Sequence, residues 1–355
     1  MSLQTVGSEA RMTVSAIRDA IDAAPPLRER ELAARIGISE AELLEARGDG
    51  WRVARIDATP GRLIPAVEAL GDAMALTRND WCVSEKIGRY TDFHDGKHAA
   101  MTVNPDIDTR MFPQHWVHGF HVEKDTEDSL RRSLQVFDGA GQHVHKVHLT
   151  EGSDLAVWAA LREDLAVAPA PLAPEPAPAP EGARTNPDRV EVLRREWAKL
   201  TDTHQFLMLC RKVKMNRLGA YRVAGAPFVR ALQPSAFGDL IRGLSAGGVG
   251  SMVFVGNRGC IQIHSGPMDR IAPMGPWLNV MDPRFNLHLR DDKVAEVWAV
   301  EKPTKRGPAL SVEAFDADGT LIAQIFGLRK EDGAVDETPA FRKIVDTLPD
   351  AETAA

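Results

Sequence analysis

Apolar residues recur at helical spacing in three parts of the chain. Residues 13–24 and 28–47 place apolar side chains every three or four positions, which predicts helices there. A third stretch, from Val190 to Lys214, shows the same spacing and predicts one long helix with His204 in an apolar setting. The repeating positions of this stretch are Val190, Leu193, Trp197, Leu200 and His204.

Two longer regions, roughly residues 62–150 and 251–329, instead predict short strands separated by turn residues. Asp138-Gly139 and Gly141, followed by Val144 and Val147, are typical of a hairpin turn between strands, and residues 316–319 repeat this pattern. Helices therefore precede strands twice along the chain. This order predicts an α+β fold with antiparallel sheets flanked by helices.

A segment rich in proline and alanine separates the two halves. Residues 167–185 include Ala168-Pro169-Ala170-Pro171, a composition that forms neither helix nor sheet and favours a semi-rigid extended linker. We therefore predict an N-terminal repeat over residues 13–166 and a C-terminal repeat over residues 186–350.

One ungapped shift (260 − 82 = 178) aligns the two halves of the chain. It places Cys82 on Cys260 and Asp138 on Asp316, in blocks that lie far apart in the sequence. This agreement predicts a tandem duplication, with a pseudo-symmetric cleft between the halves. A period this long indicates duplicated domains, since solenoid repeats run to about 20–50 residues. Further identical pairs are Asn79–Asn257, Gly88–Gly266, Ser133–Ser311, Phe137–Phe315 and Gly141–Gly319.

Composition and charge narrow the class of protein. With 44% hydrophobic and 26% charged residues, the chain is typical of a globular protein, and its net charge of −7 argues against a general nucleic-acid binder. No apolar run approaches the ~18 residues of a membrane span. The sparse cysteines Cys82, Cys210 and Cys260 suit a reducing cytoplasm, and we expect Cys82 and Cys260 to pack in the core of their own halves.

Residues 31–44 have the pattern of a helix-turn-helix. Gly37 would form the turn, and Ser39 with Glu42 would form a capping box for the second helix. DNA binding is one interpretation of this pattern. Glu40, Glu42 and Glu45 on the second helix would repel phosphates, however, so a structural pair of helices is favoured.

Histidines cluster in two places, which raises the hypothesis of a zinc site. His115 and His118 are three residues apart, so on a strand they would point to opposite faces. His143 and His145 are expected to share a face, but no cysteine pair accompanies them. Surface or strand-face histidines are the alternative interpretation. The two clusters are completed by His121 and His148.

His204 suggests a different chemistry. It lies between Asp202-Thr203 and Gln205-Phe206, before an apolar run, and such a histidine suits the axial ligand of a haem iron. The alternative is a histidine in the core whose ring nitrogens have hydrogen-bond partners within the protein. Haem also carries two propionates that require cations, and Arg110, Lys302 and Arg329 stand among apolar residues of the strand regions. Solvated charges at strand edges are the alternative interpretation of these three residues.

These segments resemble the cytoplasmic hemin-degrading factor family. The resemblance covers roughly residues 25–348 and includes both halves. The motifs that carry it are Asp202-Thr203-His204-Gln205-Phe206, Phe254-Val255-Gly256-Asn257-Arg258-Gly259-Cys260, Gly275-Pro276-Trp277-Leu278-Asn279, Glu301-Lys302-Pro303-Thr304, Leu76-Thr77-Arg78-Asn79 and Ile107-Asp108-Thr109-Arg110-Met111-Phe112.

The resemblance implies a duplicated α+β protein that holds one haem between its halves. In the family pattern His204 is the proximal iron ligand, while Arg110 and Phe112 lie on the distal side. The residues expected to bind the propionates or to line the pocket are Arg217, Lys302, Gln324 and Arg329.

The implied function is degradation of imported haem by oxygenase-like ring opening, which releases iron in the cytoplasm. Arg110 and His204 would be the catalytic residues, and the oxygenase chemistry would require an external electron donor. The sequence shows no dinucleotide-binding glycine motif that would hold such a donor. The alternative is a haem chaperone between an importer of the inner membrane and a downstream acceptor. In either case the protein would not insert in the membrane.

Overall fold

The computed structural model describes residues 11–168, 170–329 and 334–352. Within these ranges the two halves repeat one order of elements: three helices, a strand, a helix, a run of strands and a closing helix. The helices are α1 (Val14–Asp22), α2 (Glu29–Ile36), α3 (Glu40–Ala46), α4 (Pro60–Ala69), α5 (Leu155–Asp164), α6 (Val190–Trp197), α7 (Gln205–Lys212), α8 (Arg217–Ala224), α9 (Ala236–Gly247) and α10 (Thr338–Asp346).

The strands likewise recur in both halves. The first half contributes β1 (Trp51–Ile56), β2 (Gly71–Arg78), β3 (Cys82–Gly88), β4 (Phe93–His94), β5 (Ala100–Val103), β6 (Asp108–Met111), β7 (His118–Asp125), β8 (Leu130–Phe137) and β9 (His143–Ser153). The second half contributes β10 (Val229–Leu232), β11 (Ser251–Gly256), β12 (Cys260–Gly266), β13 (Trp277–Asp282), β14 (Phe285–Arg290), β15 (Glu296–Lys302), β16 (Ala309–Phe315) and β17 (Leu321–Gly327).

Two antiparallel sheets form, and each contains strands from both halves. The first sheet has the order β1-β7-β8-β9-β2-β3-β14-β13, and the second has the order β10-β15-β16-β17-β11-β12-β6-β5-β4. The hairpin β13–β14 thus leaves its own half and pairs with β3, from Phe285 opposite Lys86 to Leu289 opposite Cys82. In return β6 pairs with β12, with Arg110 opposite Ile261. The predicted duplicated α+β fold is confirmed, with the addition that its halves exchange strands.

The strand exchange overturns the expectation that Cys82 and Cys260 belong to the cores of their own halves. Cys82 packs in a cluster with Leu278 and Val280 of the second half. Cys260 packs with Tyr90 and other residues of the first half. Each cysteine begins a strand whose neighbour comes from the other half, so each core is completed by the opposite repeat.

Helices cover the faces of the sheets unequally. In the second half, α9 and α10 pack through Leu240 and Phe341 against one face of the second sheet. On the opposite face, α6, α7 and α8 pack against the outer strands β10 and β15 and against the ends of β16 and β17, where they contact Val300, Phe315 and Leu321. Buried and half-buried residues alternate along β11, beyond those outer strands, so one of its faces is left partly open.

The predicted helix from Val190 to Lys214 is wrong, because the chain forms two helices there. After α6 the chain turns, and the carboxylate of Asp202 accepts a hydrogen bond from the backbone N of His204 (2.8 Å). The side-chain amide of Gln205 accepts from the backbone N of Thr201 (3.0 Å). Polar side chains that bond locally to the backbone compete with helix continuation, so α7 begins only after His204.

The hairpin turns and the capping box are confirmed. A carboxylate oxygen of Asp138 accepts from the backbone N of Gln142 (2.9 Å), and Asp316 accepts in the same way from Thr320 (2.8 Å). Ser39 caps α3, and its side-chain and backbone partners form the complete capping box. These short-range patterns are set by side chains near in sequence, which is why the sequence predicts them.

The described part of the Pro/Ala segment contains no helix or strand and is fixed to both halves. On the first half, Glu175 donates from its backbone N to the carbonyl of Gly139 (2.8 Å). On the second half, Asn216 donates to the Glu181 carboxylate (3.1 Å) and accepts from the backbone N of Arg184 (3.0 Å). The segment therefore spans the junction between the halves.

Candidate functional site

A cavity of about 1060 Å³ opens where the two halves meet. Its walls include residues that correspond under the internal repeat, such as Asn79 with Asn257 and Asp138 with Asp316. The Pro/Ala segment contributes residues 177–181 to one wall. Because corresponding residues from both halves line it, the cavity lies at the pseudo-symmetry axis that the duplication predicts.

One wall of the cavity is the open face of the second sheet. Phe254 of β11 and Ile261 of β12 line it, and Phe254 packs against Phe326 with 5.3 Å between ring centroids. Val253 and Val255, the neighbours of Phe254 in β11, point to the other face and are buried in the core. Strand alternation therefore supplies a half-buried apolar surface on the side that α6–α8 leave open.

The facing wall is formed by α7. Leu207 and Arg211 both line the cavity. His204 precedes Leu207 by three residues, Met208 by four and Arg211 by seven, which places it on the same side of the helix. The His204 side chain is 93% exposed, and its Nδ1 lies 2.7 Å from the Asp202 carboxylate. The predicted iron ligand thus stands at one end of this wall with an accessible imidazole.

Arg110 reaches the same sheet face from the first half. It lies opposite Ile261 in the β6–β12 pair, and directly paired residues point to the same side of a sheet. Its guanidinium forms an ion pair with Asp108. Phe112 follows two residues later and donates from its backbone N to the carbonyl of Gly259 (2.9 Å). The exchanged strand is therefore what brings these two predicted distal residues to the second half.

Two of the predicted cations meet in a buried cluster behind the cavity wall. Glu313 is fully buried and accepts hydrogen bonds from Lys302 (2.9 Å), Arg217 (2.8 Å) and Tyr221 (2.9 Å). Ser311 adds a fourth donor at 2.9 Å. Burial would raise the pKa of the Glu313 carboxyl, but the two cations outweigh burial and lower the pKa to about 2. The cluster therefore holds two cations against one carboxylate.

The four residues predicted to bind the propionates or to line the pocket differ in their access to the cavity. Arg217 and Gln324 line it directly. The Lys302 side chain is only 4% exposed and lies behind Arg217 and Tyr221. Arg329 lies just beyond the end of β17 and donates to the backbone carbonyl of Arg306 (2.7 Å).

The histidine clusters do not form a metal site within the ranges that the structure describes, where no group of three His, Cys, Asp or Glu residues is placed to hold an ion. The expectation that His143 and His145 share a face is wrong. A register shift in the β8–β9 pair sets His143 opposite Phe137 and His145 opposite Val136, so the side chains point to opposite faces. His145 is buried between Tyr90 and Trp116.

Sequence reasoning missed three contributors to the site. Glu313 and Tyr221 organise the cations, and Asp202 contacts His204. Asp202 belongs to the same motif as His204 and precedes it by two residues, so its spacing could have suggested the contact. Glu313 offered no such signal, because a glutamate within a strand ordinarily faces solvent.

The helix pair α2–α3 packs within the first half. Leu32 of α2 and Leu43 of α3 are buried against each other. Glu45 pairs with Arg55, and Glu40 pairs with Arg78. The acidic residues of α3 thus have partners within the chain, which supports the structural interpretation of the pattern over DNA binding.

No helix in the described portion of the chain is long and apolar enough to cross a membrane.

The family model of the haemin-degrading HemS.ChuX domain matches residues 37–165 and 214–348, one region in each half. The hemin transport protein HmuS of Yersinia pestis is 37% identical over 304 residues, which cover 85% of this chain and 88% of that protein.

Solved structures with the same architecture extend this similarity. Holo-PhuS, a haem-binding protein from Pseudomonas aeruginosa, superimposes with a TM-score of 0.87 at 38% identity and covers 95% of this chain and 98% of its own. The haem-degrading enzyme ChuS of Escherichia coli O157:H7 gives a TM-score of 0.85 at 32% identity, with 94% and 97% covered. A duplicated α+β protein with a cleft between its halves is the class that the fold defines. The chain belongs to the HemS/ChuX family.

Proposed function

We propose that the protein binds one haem in the cleft between α7 and the open face of the second sheet, with His204 as the iron ligand. The observation that carries this proposal is an exposed imidazole at the start of α7, the helix that lines the same cavity as the apolar face of the second sheet. A porphyrin needs a flat apolar surface for its ring and an accessible nitrogen for its iron. Phe254, Ile261 and Phe326 offer the first, and His204 offers the second.

The predicted cations of the second half suit the propionates of haem. Arg217, with Gln324 beside it in the wall, is placed to donate hydrogen bonds to a carboxylate. Lys302 and Arg217 share Glu313, so their cluster keeps one unbalanced positive charge. Arg329 would meet the second propionate near the end of β17. This assignment explains why two cations are held beside an apolar cavity.

Arg110 and Phe112 would occupy the distal side of the bound haem. Arg110 shares the sheet face with Ile261 and carries a guanidinium that always donates. Its contact with Asp108 holds the side chain on this face. We infer that Arg110 donates to a ligand on the side of the iron opposite His204, and that Phe112 shields that side from water.

We propose further that the protein opens the haem ring and releases iron for use by the cell in the cytoplasm. When bound, haem supplies the redox-active iron and the porphyrin carbon that is oxidised, and an external donor supplies electrons. The residues of this chain orient the ring, exclude water and place a hydrogen-bond donor. The E. coli protein described as a haem-degrading enzyme, with the same fold, supports this choice.

A haem chaperone is the second candidate, and the exposure of the α7 wall favours it. The His204 imidazole is almost fully accessible, and Leu207 and Met208 beside it are exposed. A partner could therefore reach the ligand-bearing helix directly. In this role the protein would receive haem from an inner-membrane importer and pass it to a downstream acceptor.

Ligation by His204 is tested with the haem-loaded protein. His204→Ala should weaken haem binding and shift the Soret and charge-transfer bands. His94→Ala is a matched control, since His94 is also exposed and also pairs with an aspartate two residues earlier. An unaltered spectrum in His204→Ala would overturn the assignment.

Degradation and transport are separated by a single-turnover experiment. Haem-loaded protein is mixed with ascorbate in the presence of catalase, because free hydrogen peroxide destroys haem without an enzyme. Loss of the Soret band with formation of one tetrapyrrole product supports degradation. A persistent Soret band, with rapid transfer of haem to apomyoglobin, supports the chaperone.

A further inference from the structure

Asp202 makes two hydrogen bonds to His204 with the same carboxylate oxygen. Its Oδ1 accepts from the backbone N of His204 (2.8 Å) and lies 2.7 Å from the imidazole Nδ1. The second contact leaves Nε2, the other ring nitrogen, directed away from the carboxylate. The pair stands at the start of α7, where the helix meets the cavity wall.

The turn around Asp202 is fixed by other contacts, although the aspartate is 57% exposed. The backbone N of Gln205 donates to the carbonyl of Asp202 (3.2 Å), and the Gln205 side chain accepts from the backbone N of Thr201 (3.0 Å). The backbone N of Lys305 donates to the Thr201 carbonyl (3.0 Å), which ties the turn to the loop after β15. These contacts fix the backbone from which the carboxylate and the imidazole both extend.

The contact has a definite chemical consequence for His204. An ionised carboxylate only accepts hydrogen bonds, so the proton of a neutral imidazole must reside on Nδ1. Nε2 then carries the lone pair that a metal requires. A neutral imidazole in water prefers the opposite tautomer, with its proton on Nε2, and that form cannot bind a metal through Nε2. A carboxylate partner also makes a ligating histidine more basic and fixes the plane of its ring.

We propose that Asp202 is a positioning residue that selects the Nδ1–H tautomer of His204 and so prepares Nε2 to bind the haem iron. The inference rests on the proposed function, because it assigns a purpose to the free nitrogen. The contact itself is a property of the protein without haem. It is therefore testable before any ligand is added.

The first test measures the tautomer of His204 by histidine nitrogen NMR of the full-length protein without haem. In the wild type, Nδ1 should be protonated and Nε2 bare. Asp202→Asn keeps an oxygen that caps the backbone N of His204, but it removes the charge, so the signal should shift toward the Nε2–H form. Asp92→Asn removes the corresponding partner of His94 and should leave His204 unchanged. A wild-type His204 protonated on Nε2, or no response to Asp202→Asn, would overturn the inference.

The second test uses the haem-loaded protein. Asp202→Asn should lower the iron–histidine stretching frequency of the ferrous form, raise the reduction potential and weaken haem binding about tenfold. Asp202→Glu, which retains a carboxylate, should recover part of each change. A merely structural role would alter affinity and leave the stretching frequency and potential unchanged.

Ligation by His204 and the role of Asp202 would be overturned by different results. If His204→Ala retains the wild-type haem spectrum, ligation by His204 is wrong and the proposed function falls with it. If His204→Ala loses the spectrum while Asp202→Asn keeps the wild-type stretching frequency and potential, only the role of Asp202 is wrong.

Discussion

Asn79 and Asn257 make the same pair of hydrogen bonds in opposite directions across the junction of the two halves. The Asn79 amide donates to the backbone carbonyls of Gly256 (3.1 Å) and Ile322 (2.7 Å). The Asn257 amide donates to those of Arg78 (2.9 Å) and Val144 (2.8 Å). The four acceptors form two corresponding pairs under the internal repeat, Arg78 with Gly256 and Val144 with Ile322. Each asparagine thus ties the end of its own turn to the opposite half, directly before a strand that pairs across the halves.

The first prediction is that the two asparagines contribute equally to stability. Asn79→Ala and Asn257→Ala each deprive two carbonyls of a donor at the junction. An unsatisfied buried polar group costs about 1–3 kcal/mol, so each variant should lower the free energy of unfolding by roughly 2 kcal/mol or more. Urea denaturation measures the change. A large loss for one variant and none for the other would contradict a symmetric junction.

The second prediction concerns the exchanged strands. A fragment beginning near residue 186 lacks every strand of the first half. β12 would therefore lose its partner β6, and β14 would lose its partner β3. The two exposed sheet edges should make this fragment associate or aggregate on size-exclusion chromatography. The full chain should unfold in a single transition by circular dichroism. A monomeric fragment with native strand content would show that the exchange is dispensable.

The third prediction concerns the buried cluster of Glu313. Glu313→Gln removes the carboxylate that Lys302 and Arg217 share, and breaking a buried pair costs about 3–5 kcal/mol. Lys302→Met should also destabilise the protein. The double variant should lose less than the sum of the two single changes, because Lys302 is then no longer left as a buried charge without a carboxylate. Strict additivity in denaturation experiments would contradict the coupling.

The fourth prediction is a loss of stability in mild acid. His145 is buried with Thr77 and Tyr90 on its two ring nitrogens, and burial lowers the pKa of its imidazole from 6.5 to about 3. Between these values the unfolded chain binds a proton that the folded protein does not. Stability is therefore retained above about pH 6.5 and is lost as the pH falls from there toward 3.

His264 behaves in the same way, since burial lowers the pKa of its imidazole to about 4. Each such histidine contributes about 1.4 kcal/mol per pH unit within its window. Urea midpoints at pH 7, 6 and 5 measure the slope. His145→Gln should reduce this slope by the amount that corresponds to close to one proton. A wild-type stability that stays constant down to pH 4.5 would contradict the prediction.

The fifth prediction separates the propionate partners from the iron ligand. Arg217→Ala and Arg329→Ala should bind haem more weakly, since a charged hydrogen bond contributes about 1.5–3 kcal/mol. Their iron spectra should remain like that of the wild type. The preference for free mesohaem over its dimethyl ester should fall in both variants and persist in Arg189→Ala, an exposed arginine before α6. Full discrimination in all three variants would place the propionates elsewhere.

Local patterns in the sequence determined a large part of this protein. The duplication, the capping box at Ser39 and the hairpin turns at Asp138 and Asp316 depend on residues close to each other, or on identity at a fixed shift. In these cases side chains bond to nearby backbone, so the sequence alone carries the information.

Only the tertiary structure decided which strands pair and which side chains meet. The alternation of β6 and β14 is the same whichever sheet they join, so no local pattern reveals that Arg110 crosses to the second half. One extra residue in β9 turned His143 away from His145, because strand faces alternate with a period of two. The charge of Glu313 became buried because Lys302 and Arg217, distant in sequence, converge on it. Partner choice is a property of long-range packing, and a one-dimensional pattern does not encode it.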